Sequence, residues 1–187
     1  MFETARFIEE SREALRDTDP QAAVRELVAS AVAQPGPILR ALGEPTLAGV
    51  HTLHKSPELT VLNLVWGPQM DLHPHDHRMW AVIGIYGGRE DNTFWSRAAG
   101  GLTRQRMKTL EQGDAVPLGE KVIHSVRNPL QQLTAALHVY GGNFFETPRS
   151  EWDVHTLEEH PYSVQHTMDA FEASNAQLRA MPAGSRG

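Results

Sequence analysis

Between Gly67 and His77 the chain sets three histidines at alternate positions, His73-Pro74-His75-Asp76-His77, and a further one follows in Val122-Ile123-His124-Ser125-Val126. On an extended segment, residues two apart share a face. His75 and His77 then direct their imidazoles to one side, and Asp76 points to the other. A third imidazole from a distant strand closes a three-nitrogen face around a metal ion and leaves coordination positions open. His73, set apart by Pro74, is expected at the mouth of such a site. A polar strand bearing surface histidines is the alternative for a His-x-His pair taken alone.

Such a site needs strands to carry it, and the pattern predicts them. Thr60–Trp66, Met79–Tyr86, Arg89–Trp95, Thr103–Leu110, Ala115–Val116, Lys121–Val126 and Leu133–Tyr140 are short β-rich runs. Gly87-Gly88, Gly100-Gly101, Gln112-Gly113-Asp114 and Asn128-Pro129 separate them, which predicts a sandwich or barrel over residues 52–146. Arg89-Glu90-Asp91 reads as a solvated turn. Residues 1–45 read as helical. Phe7, Ile8, Ala14 and Leu15 recur at helical spacing, and Asp19-Pro20 is an N-cap followed by a first-turn proline. The next helix runs to Val32, with Pro35-Gly36-Pro37 expected to end it and a short third helix expected over Ile38–Leu42. Residues 150–181 read as a loop rich in His and Pro, then a helix from Val164 to Arg179. Met181–Gly187 read as frayed. The whole, 1–187, is expected to be a single domain.

Composition narrows the function classes. A chain of 187 residues with 40% hydrophobic and 21% charged residues has the balance of a folded domain. It contains no cysteine, which excludes disulfides, thiolate metal sites and a cysteine nucleophile. A net charge of −6 without a basic run argues against nucleic acid as a partner. No apolar run approaches the ~20 residues that span a bilayer, and the charged N-terminus does not read as a secretory signal. A cytoplasmic protein with no membrane partner is the expectation; the sequence leaves the oligomeric state open.

The segments Gly67–Gly88 and Gly113–Asn128 together resemble the two motifs of the cupin superfamily. That resemblance implies a mainly β fold, a double-stranded β-helix or jelly-roll barrel, here with N-terminal helices and a C-terminal helix. The second segment carries Gly113, Pro117-x-Gly119, His124 and Asn128, although its gap from Gly119 to His124 is longer than the usual pattern. Pro117 and Gly119 are expected to make the tight turn that returns the chain. His124 then begins a strand antiparallel to the one carrying the pair. Most cupins also place a glutamate four or five residues after the pair, where this chain has Ala81 and Val82. Glu90 reads as too distant to replace it. Three neutral ligands leave the charge of a divalent ion uncompensated, which favours a bound anion such as a thiolate, enolate or carboxylate.

Within three-histidine cupins, His75-Asp76-His77, His124 and Leu137-His138-Val139-Tyr140 resemble the thiol dioxygenases, over roughly Leu62 to Glu146. Trp66-Gly67 falls at that family's distance before the pair. The resemblance implies Fe(II) held by His75, His77 and His124, a Tyr140 hydroxyl facing the iron, and His138 orienting it. Three departures stand out. The family's Ser-x-His-x-Tyr relay meets Ala136 here. The thioether crosslink of some members is excluded without cysteine. The arginine that holds the substrate carboxylate in cysteine-type enzymes is missing, since no arginine lies between Arg40 and Arg78. His51, His54 or Lys55 could lie near that place, Arg149 could reach in from the tail, and Trp80 is a candidate pocket wall. The expected activity is oxidation of a small thiol by O2 to its sulfinate, with a mercapto acid favoured over L-cysteine. Two rivals share the same ligands: carbon–carbon cleavage of a diketone-like or ring substrate, and a metal-binding sensor without turnover.

Overall fold

The computed structural model describes residues 2–180; Met181–Gly187, read above as frayed, lie outside them. Helices α1 (Thr4–Ala14), α2 (Pro20–Val32) and α3 (Pro35–Leu42) open the chain. The Asp19 side chain caps α2 by accepting from the Ala22 N–H at 3.0 Å. Pro35-Gly36-Pro37 is the first turn of α3 rather than a break. A proline there removes only an N–H that has no intrahelical partner.

Eleven strands follow: β1 (Gly49–Lys55), β2 (Thr60–Trp66), β3 (Asp71–Asp76), β4 (Ala81–Gly87), β5 (Arg89–Ala98), β6 (Gly101–Glu111), β7 (Ala115–Leu118), β8 (Ile123–Arg127), β9 (Thr134–Tyr140), β10 (Ser150–Trp152) and β11 (Glu159–Pro161), before helix α4 (Val164–Ala180). They form a five-stranded sheet, β1-β2-β9-β4-β7, and a six-stranded sheet, β11-β10-β3-β8-β5-β6. From β2 to β5 and again from β6 to β10 the chain alternates between the two sheets, which makes the barrel a double-stranded β-helix. Pro117 lies within β7 opposite Val82 rather than in a turn. β7 is an edge strand, where a missing N–H disrupts no ladder. The turn itself is closed by the Val122 N–H donating to the Gly119 carbonyl at 3.1 Å.

β2 and β9 are buried at every position, as expected of strands covered on both faces. Their inner face, Leu62, Leu64, Trp66, Ala136 and Tyr140, meets Leu72, Phe94 and Val126 of the facing sheet. Their outer face, Val61, Val65, Leu137 and Val139, packs on Val24, Val28, Val32 and Ile38 of the helices. Each such side chain contributes about 1.5–3 kcal/mol on burial, so the N-terminal helices are an integral layer of the core. Gly84 lets α2 approach β4 closely, because a Cβ there would lie 2.3 Å from Val28 Cγ1.

Helix α4 closes one end of the barrel. Asn175 clasps both backbone groups of Ala48, at 2.8 and 2.9 Å. Phe171 stacks on Trp66 with ring centroids 5.4 Å apart. Gly67 admits the helix, since a Cβ there would lie 1.7 Å from Ser174 Oγ. Among the described residues no helix is long and apolar enough to cross a membrane.

Candidate metal centre

His75 on β3 and His124 on β8 are register partners across an antiparallel pair, so their side chains emerge together on one face. His77 lies just past the end of β3. Arg78 then turns the chain with φ of +56°, and its guanidinium holds Asp76 at 2.5 Å. Asp76 also accepts the Ser150 N–H at 2.8 Å, so it ties the tail strand to the barrel and faces away from the histidines.

The three Nε2 atoms converge. His75 and His77 are 3.2 Å apart and His77 and His124 3.3 Å apart, and all three rings are buried. These two separations match nitrogens each about 2.1 Å from one ion, and all three ligand atoms lie within 4.8 Å of one another. Their protonation also suits a cation. His75 Nδ1 donates to the His73 carbonyl at 3.0 Å and His124 Nδ1 to Asn92 Oδ1 at 2.8 Å, so both Nε2 atoms present bare lone pairs to the centre. His77 can supply a proton to only one of them. Burial, reinforced by the neighbouring imidazoles, pushes His75 and His77 well below the ordinary histidine range. Burial likewise lowers His124 to about 4, against the opposing pull of Glu90. The three histidines are therefore neutral near pH 7, and the group could hold a metal ion.

Tyr140 and His138 share the inner face of β9. The Tyr140 hydroxyl lies 3.0 Å from His138 Nδ1, and its ring stands nearly perpendicular to His77 at 5.1 Å. Burial raises the phenol well above its ordinary range despite the opposing charge of Arg149, so it stays protonated. Arg149 is buried between Phe144 and Tyr162, its guanidinium 4.1 and 3.8 Å from the two ring centroids. One terminal nitrogen donates to the Phe144 carbonyl, while Nε and Nη2 have no partner. The cavity beside the histidines is small, about 30 Å³. Val50, Leu62, Leu64, Phe144, Tyr162 and Phe171 are among its walls.

Three expected site residues lie elsewhere. Val50 faces the cavity, so its neighbour His51 points out to solvent. Lys55 pairs with Glu146 at 2.7 Å on the surface, where its charge is hydrated. Trp80 precedes the inward Ala81, so it lies on the outer face against Gly141 and the helix-side core. His54, also considered for this place, does not line the cavity. His73 is half-buried at the mouth and bonds Glu151 at 3.1 Å, and its carbonyl orients His75.

Two residues of the centre are unexpected from sequence. Glu90, read as part of a solvated turn, is fully buried. It accepts from Trp66 Nε1 at 2.5 Å and from Asn92 Nδ2 at 3.4 Å, and lies 3.6 Å from His138 Nε2. It stands behind the ligands and is not one of them. The burial alternation of β5, with Glu90, Asn92 and Phe94 inward, is the signal that finds both residues.

No family model matches the sequence. Several solved structures are similar to it. One is an uncharacterized conserved protein with a double-stranded β-helix domain from Klebsiella pneumoniae subsp. pneumoniae, at 12% identity over 54% of this chain and 78% of that one, with a TM-score of 0.44. Another is an RmlC-like cupin family protein from Methanocaldococcus jannaschii, at 11% identity over 55% and 87%, with a TM-score of 0.44. A third is the Cnp3 cupin domain of Schizosaccharomyces pombe, at 10% identity over 56% and 69%, with a TM-score of 0.45.

Proposed function

We propose that this chain is an Fe(II)-dependent dioxygenase that oxidises a small mercapto acid to its sulfinate. The observation that carries this reading is the free edge of Arg149. A buried guanidinium whose Nε and Nη2 lack partners presents the two-pronged donor that fits a carboxylate. Its charge reaches His75, His77 and Tyr140, each of whose pKa it lowers. Arg149 does not itself line the cavity but stacks on two residues that do, Phe144 and Tyr162, so in this reading a ligand places an anionic sulfur at the metal face and a carboxylate past that wall, at this fork.

A ferrous ion held by His75, His77 and His124 would supply the one-electron reactivity that lets ground-state O2 combine with a thiolate. The overall reaction takes four electrons from sulfur, gives them to O2, and leaves both oxygen atoms on sulfur. In this reading Arg149 holds the carboxylate and fixes the distance of the sulfur from the metal face. Tyr140 and His138 form a hydroxyl–imidazole pair able to take up or return the proton that the thiol gives up. The apolar walls exclude water from the reacting atoms.

The test is anaerobic reconstitution with Fe(II), then oxygen uptake with 3-mercaptopropionate, mercaptosuccinate, L-cysteine and 2-mercaptoethanol, with products identified by mass spectrometry. One O2 consumed per sulfinate formed is the expected result, fastest with a mercapto acid. No uptake with any thiol would sink the proposal.

A further inference from the structure

We infer that Glu90 is a positioning residue that sets the hydrogen-bond polarity of the whole centre. A carboxylate can only accept. Glu90 therefore obliges Asn92 to turn its NH2 group, Nδ2, toward it, at 3.4 Å. The amide oxygen of Asn92 must then face the other way, toward His124 Nδ1 at 2.8 Å. An oxygen there demands a proton on Nδ1, which leaves His124 Nε2 bare toward His77. With Glu90 as a carboxylate, the directions of the bonds from Asn92 to His124 follow from the one group that cannot donate.

The same carboxylate governs the other arm. His138 Nε2 is buried without a hydrogen-bond partner, and Glu90 Oε1 lies 3.6 Å from it. A lone pair facing a carboxylate in a buried, low-dielectric interior is repelled, whereas an N–H is attracted. The proton of His138 thus belongs on Nε2, and Nδ1 accepts from the Tyr140 hydroxyl at 3.0 Å. Glu90 occupies the role left open by Ala136, whose side chain lies on the same inner face of β9 and offers no hydroxyl. Trp66 Nε1 fixes the carboxylate in place at 2.5 Å.

The inference leans on the proposed activity only in naming the Tyr140–His138 pair as useful, and its tests contain no thiol. Glu90→Gln keeps the shape but adds a donor. With the Gln oxygen kept on Trp66 Nε1, its NH2 faces Asn92 and forces that amide to flip. His124 then meets an NH2 group and moves its proton to Nε2, so Zn(II) affinity falls about 10–100-fold. The double variant Glu90→Gln with Asn92→Asp restores an acceptor opposite His124 and brings affinity back to within about threefold of the parent. In the parent protein loaded with diamagnetic Zn(II), 15N-histidine NMR should show His138 protonated on Nε2, its signal assigned by loss in His138→Gln. Unchanged affinity in Glu90→Gln, failure of the double variant to recover it, or a proton on His138 Nδ1 would each overturn the inference. The NMR measurement decides the matter for the parent protein even where Glu90→Gln does not fold. A protein that passes these tests yet consumes no O2 with any thiol would refute the proposed activity and leave the role of Glu90 intact.

Discussion

Arg149→Gln separates carboxylate recognition from every other role of the site. In the parent chain two N–H groups, Nε and Nη2, stand unpartnered on a guanidinium that is 7% exposed. A substrate carboxylate would satisfy both. Hydrogen bonds to charged groups contribute about 1.5–3 kcal/mol each and are not additive when they share one fork. A loss of about 3 kcal/mol is the working figure, which is roughly a hundredfold in kcat/KM. The substitution also removes the contacts with Phe144 and Tyr162 and the bond to the Phe144 carbonyl, so stability should fall by about 1–2 kcal/mol.

The assay compares two thiols on one protein. Oxygen uptake with 3-mercaptopropionate should fall about a hundredfold in kcat/KM, while uptake with 2-mercaptoethanol, which has no carboxylate, should change less than about threefold. The ratio cancels any loss of metal or of folded protein, because both substrates experience it equally. Equal losses with both thiols would mean that Arg149 is structural. An unchanged rate with the acid would mean that the carboxylate lies elsewhere.

Other outcomes follow from the same geometry. His124→Ala removes one of three converging nitrogens, so metal content after Fe(II) reconstitution should drop from near one per chain to near zero by elemental analysis. Acid should destabilise the metal-free chain. His124 titrates near 6.5 when unfolded and near 4 when folded, so the unfolded state takes the proton first and stability is lost as pH falls from 6.5 to about 4. Urea denaturation of EDTA-treated protein at pH 7 and pH 4.5 should differ by at least about 2–3 kcal/mol, with His75 and His77 adding in the same direction; a flat profile would contradict neutral buried ligands. Phe171→Ala deletes the ring stacked on Trp66 and should cost about 3–5 kcal/mol by urea denaturation; a cost under about 1 kcal/mol would show that α4 does not seal the barrel.

The parts of the site that follow from local periodicity were legible, and the parts that follow from long-range pairing were not. His75 and His77 share a face because they are two apart on an extended segment, and His138 and Tyr140 do so for the same reason on β9. The barrel was legible because glycine turns punctuate its strands. β10 and β11 are only three residues each and read as loop. They exist because Glu151 pairs with His75 and the two short strands pair with each other, which no local propensity encodes. Trp80 and His51 were misplaced because alternation tells which residues share a face but not which face is inside. Glu90 shows the opposite failure. Arg89-Glu90-Asp91 after two glycines has the composition of a solvated turn, yet pairing with β8 and β6 carries Glu90 into the core, where Trp66 and Asn92 satisfy it.

Charge balance connects these departures. Among the described residues the cavity wall is largely apolar and carries no carboxylate, so net charge inside it is costly. A divalent ion on three neutral histidines brings two positive charges, and Arg149 brings a third. Against them stands the carboxylate of Glu90, held behind the ligands by Trp66 and Asn92. On the proposed reading, a mercapto acid bound as thiolate and carboxylate would supply the two negative charges that bring the assembly to neutrality. A glutamate among the ligands would overshoot that balance, which gives the apolar Ala81 and Val82 a physical meaning at the start of β4. An aminothiol acid would add an ammonium group to a wall that offers it no carboxylate. On the proposed reading, the same arithmetic that favours a dianion therefore selects against L-cysteine, and it does so without any steric gate.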